Sequence, residues 1–183
     1  MDLISLPFAG FFAVILLIYH VIPAEKRKLW LLITSFVFYG LLDIRFLLTL
    51  VILTVCNYWF VKKFSRSKKA YDAYFALAIL LNLSVFIGLK FLTSRYAGLI
   101  FPEANDITGK WLLPVGFSFY ILQLISLHLS IKNGLLTTIP GFVDFALYLA
   151  YFPKITSGPI EKPRPFFDRL SKLALVDSFN FSR

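Results

Sequence analysis

Apolar residues in this chain come in long unbroken runs, set apart by short segments that are polar and mostly basic. They neither alternate as on a half-buried strand nor fall into the single stripe of a soluble amphipathic helix. Crossing a bilayer core of about 30 Å takes about 20 residues of helix. Five runs approach or reach that length, near residues 3–22, 29–42, 46–61, 74–92 and 111–131. Continuous runs argue against a β-barrel, whose strands alternate. The pattern therefore predicts an all-α, polytopic transmembrane helical bundle forming a single membrane domain over residues 1–183. A shorter run at 142–152 cannot cross alone, and residues 163–183 form an amphipathic tail with the look of an interfacial helix.

Breakers and polar residues refine these elements. Pro23 and the cluster Lys26-Arg27-Lys28 end the first run, while Pro7 and Gly10 can bend its start. The second run begins at Trp30 and ends at Gly40, before a tight turn whose Asp43 and Arg45 read as a screened surface pair. Asn57, Tyr58 and Trp59 close the third run, the two aromatics suiting the headgroup level. Asn82, Ser84 and Gly88 in the fourth predict close helix–helix contact. Residues 93–110 form a loop in which the apolar stretch 96–101 is too short to span and is expected at the interface. No internal repeat is apparent.

Composition agrees with the pattern: 58% of residues are hydrophobic, 16% are charged, and the mean hydropathy is +0.76. The net charge of +9 raises the question of nucleic acid. Its basic residues, however, sit between apolar runs, as orientation signals in membrane proteins do, so no nucleic-acid partner is expected. Clusters at 26–28 and 62–69 both favour the cytoplasm, and three crossings reconcile them if the N-terminus lies outside. The single cysteine, Cys56, cannot form an internal disulfide and reads as a packed or lipid-shielded residue. No cleavable signal peptide is evident, so the first run is expected to be retained.

Candidate chemistry lies late in the chain. In the fifth run Gly116, Tyr120, Gln123, Ser126 and Ser130 fall at offsets of three or four and share a helical face. Such a stripe turns from lipid, either as a packing seam or as the lining of a cavity. His128 lies off the stripe, about 140° from Gln123, and reads as packed or interfacial, with nothing evident to orient it. His20 reads as interfacial. In the short run Asp144, Tyr148 and Tyr151 line one face. Asp144 is either a functional carboxylate at depth or a helix N-terminal residue favoured by the dipole. Pro153 is expected to end this helix, and Gly158-Pro159 to enforce irregular backbone, which membrane depth tolerates only inside protein or beside a watery cavity. The segment is thus a re-entrant element or a short helix leading into a buried loop. The tail from Lys154 carries six Lys/Arg against three Asp/Glu, which favours the re-entrant form because both flanks then stay cytoplasmic. A transporter component with a broken helix, or a non-catalytic membrane scaffold, is also compatible with these features.

Two motifs point further. Leu113-Pro114-Val115-Gly116-Phe117-Ser118-Phe119-Tyr120 with Gln123, and Phe142-Val143-Asp144-Phe145-Ala146-Leu147-Tyr148 with Phe152-Pro153 and Gly158-Pro159-Ile160-Glu161, resemble two stretches of the membrane-bound O-acyltransferases. Similarity is greatest to the bacterial members, the alginate-type polysaccharide O-acetylases and D-alanyl transfer proteins. Phe38-Tyr39-Gly40 through Asp43-Ile44-Arg45-Phe46 is similar to the aromatic turn near that family's amino terminus. Ser130 and Lys132-Asn133-Gly134 stand where the family usually has an acidic residue and a Tyr-Arg-Gly ending. The family is more than twice as long, with its catalytic histidine downstream of the Gly-Pro-Ile motif. The resemblance therefore implies the amino-terminal portion of an acyltransferase, a fragment or a truncated product, with no catalytic role for His20 or His128 and no metal. It implies a bacterial plasma-membrane protein that moves an acyl group, acetyl first of all, to a hydroxyl of a cell-surface polysaccharide. No bound cofactor is implied; the donor is acyl-CoA or an acyl-carrier protein. The partners are the lipid bilayer and acyl-carrier or periplasmic proteins. Gln123, Ser126, Asp144, Tyr148, Pro153, Gly158 and Pro159 are the candidates for a substrate path.

Overall fold

The computed structural model describes residues 6–65, 67–92, 116–136, 138–157 and 161–173, and every regular element among them is a helix. In order these are α1 (Leu6–Val21), α2 (Ala24–Leu42), α3 (Ile44–Phe64), α4 (Lys68–Leu92), α5 (Phe117–Lys132), α6 (Phe142–Ala150), α7 (Phe152–Ser157) and α8 (Pro163–Leu173). Two stretches, Ile44–Phe64 and Tyr74–Phe91, are long and apolar enough to cross a membrane; Phe8–Val21 and Phe117–Lys132 are apolar but shorter. Residues 93–115, which hold the expected loop and the Leu113-Pro114-Val115 entry, lie outside the described residues, as do Gly158-Pro159 and the end of the tail.

Local chemistry sets the helix ends. α2 and α4 start inside basic clusters, at Ala24 and Lys68, several residues before the apolar runs. Lys and Arg are good helix formers, so the backbone turns helical before the hydropathy rises. The turn between α2 and α3 is one extended residue, Asp43, whose carboxylate accepts from the Arg45 backbone N–H at 2.8 Å. Asp43 is thus a helix cap with Arg45 Nε 3.7 Å away, more than a screened surface pair; such caps are worth about 1 kcal/mol. Gly116, with φ of 77°, opens α5 in a left-handed conformation that suits glycine.

The first five helices run up and down. Tyr71 meets His128, Lys132 lies over the Phe75 ring, and Phe86 meets Phe117, so α4 and α5 are antiparallel. Phe64 packs on Tyr74 while Asn57 bonds Asn82, which makes α3 and α4 antiparallel too. Trp30 Nε1 donates to Ile15 O, and Phe38 meets Phe11, giving the same relation for α1 and α2. The bundle has an apolar outside as well as an apolar core, with a set of polar side chains enclosed in it. Thr34, Ser35, Thr54, Asn57, Asn82, Gln123 and His128 are buried, whereas Leu17, Leu41, Leu48, Ile52, Leu80 and Ile87 are all more than half exposed. Apolar surface of that extent marks a lipid contact.

At the centre sits α6, the most enclosed element. Phe145 to Ala150 are 0–1% exposed, walled by α2, α3, α5 and α8. A helix apolar on every side is stable only when enclosed. The run expected as one helix over 142–152 is two, because Tyr151 is extended (φ −62°, ψ 104°). Pro153 accordingly does not end the first helix but lies in the first turn of α7. Its missing N–H costs little there, since first-turn N–H groups have no intrahelical partner. The apolar face of α8 packs on protein, with Phe166 and Phe167 each 5.4 Å from the Tyr148 ring.

Candidate functional site

Four sets of polar contacts hold α6 and α7 in place. At the start of α6, Asp144 pairs with Lys28 of α2, Nζ lying 3.0 Å from Oδ1 and 3.2 Å from Oδ2, both side chains being partly exposed. Asp144 is also in the first helical turn, where the dipole favours its charge. At the other end the Gln123 amide of α5 faces two carbonyls, an environment that only its nitrogen can satisfy; with the amide assigned that way round it donates to Tyr148 O at 3.2 Å and Leu149 O at 3.3 Å. Helix ends leave their last carbonyls without intrahelical donors, and Gln123 serves two of them in a buried setting. Beyond the break, Phe152 N–H donates to Ser35 Oγ at 3.4 Å. Ser126 hydrogen-bonds Tyr148, whose hydroxyl also donates to Glu161 O at 2.9 Å and so ties the segment after Gly158-Pro159 back to α6.

Gln123, Ser126 and Tyr148 are thus brought together on the α5–α6 seam, and Asp144 stands apart at the far end of α6. Pro153 lies past the break, in α7. Gly158 and Pro159 lie outside the described residues.

A cavity of about 290 Å³ adjoins this region, lined by Leu147, Tyr151, Lys154, Glu161, Phe166 and Arg169 among others. Its polar end is a charge cluster that the composition had registered only as a basic tail. Lys154 Nζ is 2.7 Å from Glu161 Oε2, and Arg169 Nη1 is 3.0 Å from Glu161 Oε1. Lys154 also lies over the Phe166 ring, 3.5 Å from its centroid. The signal available in the sequence was a lone lysine between apolar residues and an acid directly after Gly-Pro-Ile.

A second polar core lies between α3, α4 and α5. Asn57 and Asn82 exchange amide bonds of 2.9 and 2.8 Å, and each also donates to its own helix, at Leu53 O and Ala78 O. His128 Nε2 lies 3.1 Å from Asn57 Oδ1, and Nδ1 lies 2.6 Å from the Tyr71 hydroxyl. Asn57 Oδ1 can only accept, so Nε2 carries the proton and Nδ1 accepts from Tyr71. His128 is therefore packed, as expected, but firmly oriented by two partners the sequence did not reveal. His20 is exposed and bonds Leu16 O at 2.7 Å. A cavity of about 450 Å³ opens between α3 and α4, with Cys56, Asn57, Trp59 and Asn82 in its lining; Cys56 is exposed, not packed. Gln123 lines neither cavity. Among the described residues no cluster of three or more His, Cys, Asp or Glu side chains could hold a metal.

Comparison with known proteins bears out the resemblance read from the motifs. The chain is 30% identical over 177 residues to the "Probable alginate O-acetylase AlgI" of Azotobacter vinelandii, a match covering 89% of this chain and 32% of that protein. It is 28% identical over 183 residues to the protein of the same name from Pseudomonas aeruginosa, covering 92% and 34%. Similarity extends to the "Peptidoglycan O-acetyltransferase" of Helicobacter pylori, 26% identical over 163 residues, covering 73% and 30%. The chain spans about a third of the length of these curated relatives. No family model and no solved structure matches it.

Proposed function

We propose that this chain, a relative of the bacterial membrane-bound O-acyltransferases over the third of their length that it spans, forms part of an enzyme that acetylates a hydroxyl of a cell-surface polysaccharide. Acyl transfer to a hydroxyl needs a base and donors for the developing oxyanion. Neither histidine is placed for that work: both ring nitrogens of His128 are engaged inside the bundle, and His20 is exposed at a helix end. What these residues provide is an enclosed, broken element around which a path for donor and acceptor can be built.

The observation that carries this reading is the course of α6. Basic residues at the start of α2 and at the ends of α3 and α5 gather at one end of the up-and-down bundle. The positive-inside rule assigns that end to the cytoplasm. That arrangement supports reading the chain as a multi-pass protein of the bacterial plasma membrane, with five crossings and an external N-terminus. From the cytoplasmic end, where Asp144 meets Lys28, α6 rises alongside α2 until Phe152 meets Ser35 and Phe38. Nine helical residues climb about 13 Å, roughly half of the hydrocarbon core. The chain then breaks and returns, since Glu161 is bonded back to Tyr148. This is the form of a re-entrant element, and it brings a donor arriving as acyl-CoA or on a carrier protein to the cytoplasmic side.

The test uses the protein expressed in its own bacterial membrane. Gln123→Leu and Asp144→Asn variants are compared with wild type for base-labile acetate on the polysaccharide and for abundance in the membrane fraction. Acetylation falling about tenfold or more at equal abundance is expected. Wild-type acetylation in both variants would remove these residues from the path.

A further inference from the structure

We propose that the cavity ending at Lys154, Glu161 and Arg169 is an anion site, built to take the phosphate of a ligand that also carries a slender apolar arm. Two cations share one carboxylate there, which leaves the cluster with a net positive charge. Lys154 Nζ and Glu161 Oε1 are sealed from solvent, and each is held by a single ion-pair contact, of 2.7 Å and 3.0 Å. A buried ammonium with three donors that meets one carboxylate oxygen and a ring face still has donors to satisfy, and each unmade bond carries its desolvation cost. Arg169 touches Glu161 through one guanidinium nitrogen while its side chain is 77% exposed. Most of its five donors are therefore free to turn toward an incoming oxyanion, whose geometry the planar fork matches.

The rest of the cavity is apolar, with Leu31, Leu147, Phe166 and Leu170 along its walls. At about 290 Å³ it lies at the small end of ligand pockets. That suits one phosphate and a thin chain and leaves little room for a polysaccharide. An entering phosphate takes Glu161's place as the partner of Arg169 and adds further acceptors for Lys154. No covalent step is involved. Two sources supply this chemistry: the headgroup of an anionic phospholipid, or the phosphate of a soluble thioester donor. The second deepens the proposed function and rests on it; the anion site itself does not.

The experiment titrates the chain, purified in maltoside micelles, with inorganic phosphate at constant ionic strength, reading binding by ³¹P line broadening. Saturable binding is expected, weakened about tenfold or more in Arg169→Gln. Glu161→Gln, which removes the competing carboxylate, is expected to bind as tightly as wild type or tighter. A purely structural clamp predicts the opposite: no saturable phosphate binding in any form, or equal binding with and without Arg169, and either result overturns the proposal. Because Arg169 is exposed, its loss leaves folding intact, which circular dichroism checks. The source is then assigned by competition. Phosphatidylglycerol in the micelles displacing phosphate identifies the lipid, whereas 4′-phosphopantetheine binding more tightly than phosphate identifies the soluble donor. Phosphate binding together with undiminished acetylation in Arg169→Gln leaves the anion site standing and severs its link to the donor.

Discussion

The Asn57–Asn82 pair allows its energetic role to be worked out in advance. Two reciprocal amide bonds join α3 to α4, and Asn57 Oδ1 in addition accepts from His128 on α5. Hydrogen bonds between membrane helices are worth about 0.6 kcal/mol on average and up to about 1.7. Two of them therefore predict a coupling of about 1–3 kcal/mol in a double-mutant cycle of Asn57→Leu and Asn82→Leu. The single variants should differ. Asn57→Leu strips an acceptor from both Asn82 and the His128 ring, whereas Asn82→Leu leaves Asn57 bonded to Leu53 O and His128. An orphaned buried donor costs about 1–3 kcal/mol, so Asn57→Leu should be the more damaging by about 1 kcal/mol or more. The assay is unfolding of the chain by dodecyl sulfate in mixed micelles, followed by tryptophan fluorescence, for wild type, both singles and the double. Equal single costs with no coupling would mean that these amides do not hold the bundle as their geometry implies.

Other outcomes follow from the same contacts. Gln123→Met keeps the volume of the side chain but removes the donor to Tyr148 O and Leu149 O; a loss of about 1–3 kcal/mol is expected in the same unfolding assay, and wild-type stability would count against the capping role. Gly116→Ala, at a φ of 77°, should cost about 1 kcal/mol through backbone strain alone, measurable as a lowered midpoint without change in helix content. For the Lys28–Asp144 pair, the Lys28→Met, Asp144→Asn double variant should cost less than the sum of the two singles, by about 1 kcal/mol at most because the pair is partly exposed. Additive costs would show the charges acting independently.

What the sequence revealed and what it concealed divide along a physical line. Hydropathy reads bulk partition, so the runs, their all-helical character and the exceptional status of 142–152 were visible. It does not read helix ends, which is why α2 and α4 extend back into basic residues that hydropathy assigns to loops. Pro153 is compatible with ending one helix or beginning the next, and only the extended Tyr151 decides between them. The polar stripe on α5 was legible from its spacing, but its partner was not, because Gln123 bonds to backbone carbonyls that every residue carries alike. His128 was flagged and its neighbours missed: Asn57 and Tyr71 lie 71 and 57 positions away, and no local pattern links them. The Lys154–Glu161–Arg169 cluster was hidden for a different reason. Its members lie on two helices and the intervening segment, so summing their charges kept the sign and discarded the arrangement.

These cases converge on α6. A nine-residue helix whose last six residues are buried cannot cross a bilayer, and where it stops its last carbonyls and the next N–H groups lie inside the bundle. With no water at depth those groups must find partners within the protein. They do so in the spans: Gln123 of α5 serves the carbonyls of Tyr148 and Leu149, and Ser35 of α2 accepts from Phe152. The polar residues inside otherwise apolar helices thus need not be read one by one as catalytic or incidental. Several answer the backbone of a segment that the hydropathy pattern marks only as too short, and the break they support is what leaves Lys154 and Glu161 sealed beside a cavity.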